Sequence, residues 1–255
     1  MTDVPLYRLF HENSKLSAWE WDVLLRVQFV NESGPFSIGD RPGLDITTMA
    51  RLELPRPTEL SGVSVGEAFA RRRSADAIDR GGLGLTELSC LLHVGAGLNG
   101  AIEADGRPVR PLRSYPSPGG LYPNIAVVEC WNVHQVPRGV HFYDPMSHQL
   151  GLIERGDVEA VSRAVSLNGT DNCAVRIWIV CAFERVAFKY GERGYRFALL
   201  EAGHIAQNLL LAAAALNLPA RPYGGFFDDD VQAGLGLGWA DLSPVYAVAI
   251  GGSDA

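Results

Sequence analysis

The chain has 255 residues, 47% hydrophobic and 20% charged, enough to bury a sizeable core in one large domain or two small ones. Its formal charge of −7 argues against a nucleic-acid binder, because phosphate affinity comes mainly from Lys and Arg. Cysteines 90, 130, 173 and 181 form no CxxC pair and no His is spaced to complete a zinc site, so reduced, mostly buried thiols and no metal are expected. Met1-Thr2-Asp3-Val4-Pro5 shows no positive region followed by an apolar run, so no secretion signal is read. The most apolar stretch, 197–218, carries Glu201, His204, Gln207 and Asn208, which speaks against a membrane span. A cytoplasmic setting is expected.

In chain order, residues 16–30 fit an amphipathic helix anchored by Trp19, Leu24, Leu25 and Phe29. Residues 31–57 carry Gly, Pro and Ser and read as an extended, loop-rich connection. A soft boundary near Thr58 separates an N-terminal segment, 1–57, from a main unit, 58–255. Ser64-Val65-Gly66-Glu67 is a capping box that opens a helix running into arginines. Thr86 is expected to cap a second helix, 87–94, that stops at Gly95 and Gly97. Residues 104–107 look like a hairpin tip, and 124–133, 139–145 and 149–153 read as strands. A short helix is expected over 157–165.

Residues 174–183 are strongly strand-like, with Val175, Ile177 and Ile179 on one face and Trp178 and Val180 on the other. So apolar a run marks a central strand covered on both faces. A long helix over 195–217, a short one over 228–235 and a last strand over 243–251 complete the chain. Strands and helices are interspersed without a repeat, which predicts an α+β protein with a helix-rich face. The long helix is apolar nearly all round, the mark of a helix buried on all sides. Such burial in a chain this size points to a homodimer centred on that helix; a central helix within a monomer is the alternative.

Three segments carry candidate chemistry. Lys189 and Tyr190 stand side by side where a strand-like run is expected to end, followed by Gly191 and Gly194, and form a plausible proton-handling pair. Arg71-Arg72-Arg73-Ser74 closes a helix; such a run is either a solvated helix end or a phosphate clamp of guanidinium forks and a hydroxyl. Pro116-Ser117-Pro118-Gly119-Gly120-Leu121-Tyr122-Pro123 is either an ordinary turn or a loop whose glycines let backbone approach a flat ring. Gly224-Gly225 is a second such pair. No GxGxxG after a strand, no GxxxxGK[ST] and no GxSxG is present. Glu201 and His204 lie a helical turn apart and read as interface or supporting polar groups rather than metal ligands.

Taken in order, these segments resemble the nitroreductase-like flavoproteins, and more narrowly the SagB-type dehydrogenases that include the thiazoline and oxazoline oxidases. The resemblance runs through Phe10-His11-Glu12-Asn13-Ser14-Lys15, the arginine–serine loop, Leu85-Thr86-Glu87-Leu88, the loop at 116–123 and Gly139-Val140-His141-Phe142-Tyr143-Asp144-Pro145. It continues through Lys189-Tyr190-Gly191, the 200–208 run Leu-Glu-Ala-Gly-His-Ile-Ala-Gln-Asn and Gly224-Gly225-Phe226.

The resemblance implies a nitroreductase-like fold, with a central mixed sheet flanked by helices in an intertwined homodimer that binds FMN at the subunit interface. It implies that Arg72, Arg73 and Ser74 hold the phosphate, and that Pro116, Ser117, Gly119 and Gly120 line the ring system, with Gly224 and Gly225 on another side. Lys189 and Tyr190 match the catalytic pair of the azoline oxidases. The implied reaction removes a ring proton while hydride leaves to flavin N5, turns an azoline in a peptide into an azole, and ends with reoxidation by dioxygen. A cyclodehydratase or a carrier or leader-recognition protein is the expected partner. Asp76 departs from the family, which often places a basic residue there. An NAD(P)H-dependent nitro or quinone reductase, and a non-catalytic subunit of a cyclodehydratase complex, are the competing readings.

Overall fold

The computed structural model describes residues 5–15, 44, 46–57, 60, 62–79, 81–104, 107–165, 172–238 and 240–252. The helix expected at 16–30 and the boundary at Thr58 lie outside the described residues. The described helices are α1 (Leu6–Asn13), α2 (Val65–Arg71), α3 (Leu85–Ala96), α4 (Val158–Ala164), α5 (Glu184–Tyr190), α6 (Arg193–Ala215) and α7 (Asp228–Gly234). The strands are β1 (Arg51–Glu53), β2 (Leu98–Ala104), β3 (Arg107–Arg113), β4 (Asn124–Cys130), β5 (Gly139–Asp144), β6 (Gln149–Leu152), β7 (Val175–Cys181), β8 (Ala220–Tyr223) and β9 (Ser243–Ile250).

Seven strands form one sheet in the order β1-β6-β5-β4-β7-β9-β8, and β2 and β3 make a separate hairpin. Neighbouring strands of the sheet run antiparallel, while parallel pairing enters as isolated bridges, Ser74 to Ala220 and Leu83 to Val133. β7 is buried along its whole length between β4 and β9, as its apolar run predicts. Val175, Ile177 and Ile179 join the core under α3 and α6, together with Leu88, Leu91, Ile205 and Leu209. Trp178 and Val180 join the opposite core with Val158, Val161 and Val231 from α4 and α7. The period of two along β7 therefore reads out directly as two cores on two sheet faces.

One buried charge pair lies within the second core. Arg176 Nη1 donates to both carboxylate oxygens of Glu129, directly opposite on β4, at 2.6 and 2.7 Å. Trp131 and Trp178 indoles donate to the same carboxylate at 2.7 and 2.9 Å. Each carboxylate oxygen is thus paired, which a charge at 0% exposure requires.

Element ends follow their caps. Ser64 Oγ accepts from Glu67 N at 3.1 Å, but Glu67 turns to Arg71 instead of closing the box. α3 begins two residues before the expected start, with Gly84 as N-cap; the Glu87 carboxylate accepts from Gly84 N at 2.8 Å, so Thr86 is not the cap. The stretch read as loop over 31–57 contains β1, which pairs with β6 at the sheet edge. α1 was not anticipated either; it buries no residue of its own and is held by α6, where Arg196 Nε donates to Ser14 Oγ at 2.8 Å and Tyr195 meets Phe10 edge-on at 4.9 Å. α6 lies on β4, β7, β8 and β9 as the central helix of the fold. It passes the length and hydropathy test for a membrane span, yet Glu201 is among its buried residues. Its burial is not complete in one chain: Leu199 and Leu200 are exposed, and a Cβ on Gly203 would meet nothing within 4 Å.

Candidate cofactor and catalytic site

β7 ends at Cys181, Ala182 N bonds to Pro123 O at 3.0 Å, and the chain turns at once into α5. Lys189 and Tyr190 therefore occupy the last turn of a seven-residue helix, not a strand end as expected. Gly191 closes that helix at φ 54°, a conformation that costs a glycine little. Lys189 is 5% exposed, its Nζ 5.4 Å from the centre of the Tyr190 ring, which in turn meets Phe197 edge-on at 5.1 Å. Burial foremost, and Arg110 second, push the Lys189 amine below the usual lysine range. Burial also pushes the Tyr190 phenol up.

The loop at 116–123 folds over this corner. Pro118–Gly120 make a 3-10 turn, Gly120 N bonds to Ser117 O at 3.0 Å, and Ser117 Oγ accepts from Tyr122 N at 2.8 Å. Gly119 and Gly120 have φ of 61° and 63°, in the left-handed region that other residues resist. A Cβ on Gly119 would stand 2.7 Å from Tyr190 Oη and 3.0 Å from Lys189 Nζ. A Cβ on Gly120 would stand 2.7 Å from Arg110 Cζ. The glycines thus admit the polar tips of three side chains, with Lys189 and Tyr190 brought to Gly119 from 70 residues further along the chain.

The loop is pinned from beneath by α6. Glu201 Oε1 accepts from Asn124 N and Nδ2 at 3.2 and 3.1 Å, and Asn208 Nδ2 donates to Ser114 O at 3.1 Å. Glu201 is 1% exposed, and burial raises its carboxyl from 4.5 to about 7 against the hydrogen bonds of Ser117 and Asn124. Its second oxygen has no hydrogen-bond partner among the described residues. Sequence reading marked Glu201 as a supporting polar group, which fits; His204 is exposed. It missed Arg110, Asn124 and Phe197. An odd polar residue in an apolar helix reveals Glu201, whereas no spacing links Arg110 to a loop it meets only through folding.

The other expected residues lie along β8. Ser74 bridges Ala220 at the start of that strand, and Ala75 N bonds to Ala220 O at 2.9 Å. Gly224 and Gly225 follow its end, both exposed, about 13 Å further by the rise of an extended strand. Arg71 is engaged by Glu67 and by Asn217 Oδ1 at 3.1 Å. Half-buried Arg72 and exposed Arg73 enter no ion pair among the described residues. Asp76 is exposed.

A three-layer fold with a seven-stranded antiparallel sheet, a central helix and a glycine loop over a buried lysine defines a class, and the family comparison agrees with it. The model of the nitroreductase family matches residues 87–252, and the chain belongs to that family. Among relatives, it is 30% identical over 207 residues to the microcin B17-processing protein McbC of Escherichia coli, covering 75% of this chain and 71% of McbC. It is 28% identical over 183 residues to a Methanocaldococcus jannaschii protein designated a nitroreductase, MJ1384, covering 71% of this chain and 88% of that one. Two solved structures share the fold. One, from Anabaena variabilis and also designated a nitroreductase, gives a TM-score of 0.74 at 22% identity; the match covers 99% of this chain but 48% of that one, so this chain spans about half its length. The other, the E. coli microcin synthetase McbBCD complex with truncated pro-MccB17 bound, gives 0.61 at 23% identity over 97% of this chain and 87% of that one.

Proposed function

We propose that this nitroreductase-family protein is an FMN-dependent oxidase that dehydrogenates thiazoline or oxazoline rings within a peptide to thiazoles or oxazoles. The observation that carries this reading is the convergence of Lys189 Nζ and Tyr190 Oη on the exposed backbone of Gly119. Similarity to McbC, a protein named for processing microcin B17, supports the same reading.

The residues present fit FMN. Arg72, Arg73 and Ser74 offer donors for a phosphate at one end of β8, and neither arginine enters an ion pair among the described residues. Pro116, Ser117, Gly119 and Gly120, with Gly224 and Gly225, offer backbone that a planar ring can approach. FMN bound there would supply a two-electron acceptor for the hydride, with dioxygen as the final oxidant. Lys189, its amine pushed below the usual lysine range by burial and Arg110, takes the ring proton next to the C=N bond. Tyr190 orients the ring or relays that proton. The exposed face of α6 at Leu199, Leu200 and Gly203 favours a homodimer. A cyclodehydratase, which makes the azoline, is the partner this chemistry calls for, and the cytoplasm is its setting. Residues 1–57 would form a segment attached to the flavin-binding unit at 58–255.

The test is an absorption spectrum of the purified protein, followed by mass analysis of a cyclised peptide. A flavin spectrum and a loss of two hydrogens per ring are expected. Lys189→Ala is expected to keep the yellow cofactor and lose conversion at least about a hundredfold. Rapid bleaching by NAD(P)H without any mass loss would replace this reading by a reductase. Failure to take up FMN would leave the non-catalytic subunit.

A further inference from the structure

The chain carries 22 basic residues, of which Lys15 and Lys189 are the lysines and the rest are arginines. A chain that meets nearly every need for a cation with arginine has placed a group able to lose its proton at one buried position. The question is what keeps that amine in a useful state, and the answer lies on β3. Arg110 Nη1 donates to Gly119 O at 3.2 Å, and its guanidinium fills the space that a side chain on Gly120 would need. Lys189 Nζ stands against the neighbouring residue of the same turn, at Gly119. Two cations therefore share a two-glycine turn, and only one of them can discharge.

We propose that Arg110 is a positioning residue for Lys189: it pins the carbonyl of Gly119, the residue whose open Cα face the amine approaches, and presents a fixed positive charge that favours the uncharged amine. Three observations support this. The contact is made to backbone, so it sets the position of the turn and not only a side chain. The Arg110 Nε is buried and has no hydrogen-bond partner among the described residues, so the guanidinium is placed at some cost. Burial and Arg110 are the two causes that lower the Lys189 amine. Around it, Tyr190 is on the same helix, Arg185 one turn earlier, and Arg193 over the Phe197 ring that meets Tyr190; Glu201 lies behind the loop on the Asn124 side.

The inference rests on the proposed role of Lys189 as base, but its test does not require turnover. Lysine-selective NMR of the full-length, flavin-free protein gives two side-chain signals, one from each lysine. Lys15, exposed and paired with Glu12 at 2.6 Å, is the internal reference. In Arg110→Gln the Lys189 midpoint is expected to move to higher pH while Lys15 stays, and Arg110→Lys to keep it near the parent value. Arg110→Met, which retains the aliphatic stem, replaces the glutamine variant if that one unfolds. In FMN-loaded enzyme the pH–rate profile should move alkaline with the NMR midpoint. An unmoved Lys189 midpoint in folded Arg110→Gln or Arg110→Met overturns the inference. A moved midpoint with no azole formation by the parent enzyme overturns the proposed function instead.

Discussion

To act as the proposed base, Lys189 has to shed a proton before it can accept one, and burial and the Arg110 guanidinium press in that direction. It is buried in the last turn of α5, a guanidinium lies across the loop, and a phenol stands beside it. None of this works unless the turn above it stays free of side chains. Gly119 is the residue on which the arrangement depends, because its φ of 61° and its contacts with Lys189 and Tyr190 both exclude a Cβ. Gly119→Ala is expected to cost about 1 kcal/mol or somewhat more from the left-handed backbone alone. It should also displace the lysine and tyrosine tips, so that azole formation falls far more than thermal stability does. Melting temperature and conversion rate measured on the same preparation check this; a loss of activity no greater than the loss of folded protein would make Gly119 a structural residue only.

α6 does three jobs along its length. Its N-terminal turns hold α1 through Arg193, Tyr195 and Arg196, its middle anchors the start of β4 through Glu201, and Asn208 fixes the start of the loop at Ser114. The loop at 114–124 is therefore clamped at both ends by one rigid element. The Glu201 carboxyl, raised from 4.5 to about 7, makes one of these clamps sensitive to pH. A raised carboxyl means that the folded chain holds a proton the unfolded chain has released. The stabilisation is full below about pH 4.5 and is lost as pH rises through about 7. Glu201→Gln keeps the shape and removes the titration. The variant should gain on the parent between pH 5 and 8, by on the order of 3 kcal/mol at most. Denaturant unfolding at both pH values is the measurement, and an unchanged gap would mean that Glu201 titrates as an ordinary carboxylate.

For the molecule as a whole, the unresolved demand is apolar surface. α1 exposes Leu6, Tyr7 and Leu9, and α6 exposes Tyr195, Leu199 and Leu200, the last at 62%. On the proposed homodimer, a partner surface would cover the leucines that the core helix leaves outward beside an open glycine. On the homodimer reading, sedimentation at micromolar concentration gives twice the 27.6 kDa of the chain. Leu200→Glu, cheap in a single chain because the side chain is already exposed, should shift the protein toward monomer. It should also weaken FMN binding, if the cofactor lies between subunits. A monomeric parent protein would sink this prediction.

Alternation along β7 made a two-faced central strand legible, and the β4 and β9 neighbours it needs could be read from their own apolar runs. The uniform apolarity of 197–218 marked the central helix, and its few polar residues marked where it would be pinned. Two short elements escaped: α5 follows β7 after two residues and read as the end of its strand-like run, and the three residues of β1 are too few for a period to show. α1 escaped because it has no core of its own to encode. By itself the sequence determined which segments are buried and which residue types were available for chemistry, because burial is written in local hydrophobic period. Only the tertiary structure decided that Lys189 and Tyr190 end a helix beneath Gly119 and that Arg110 faces them across the turn. Those contacts join residues 9 and 70 or more positions apart, and no local pattern carries a distance that only a folded chain can set.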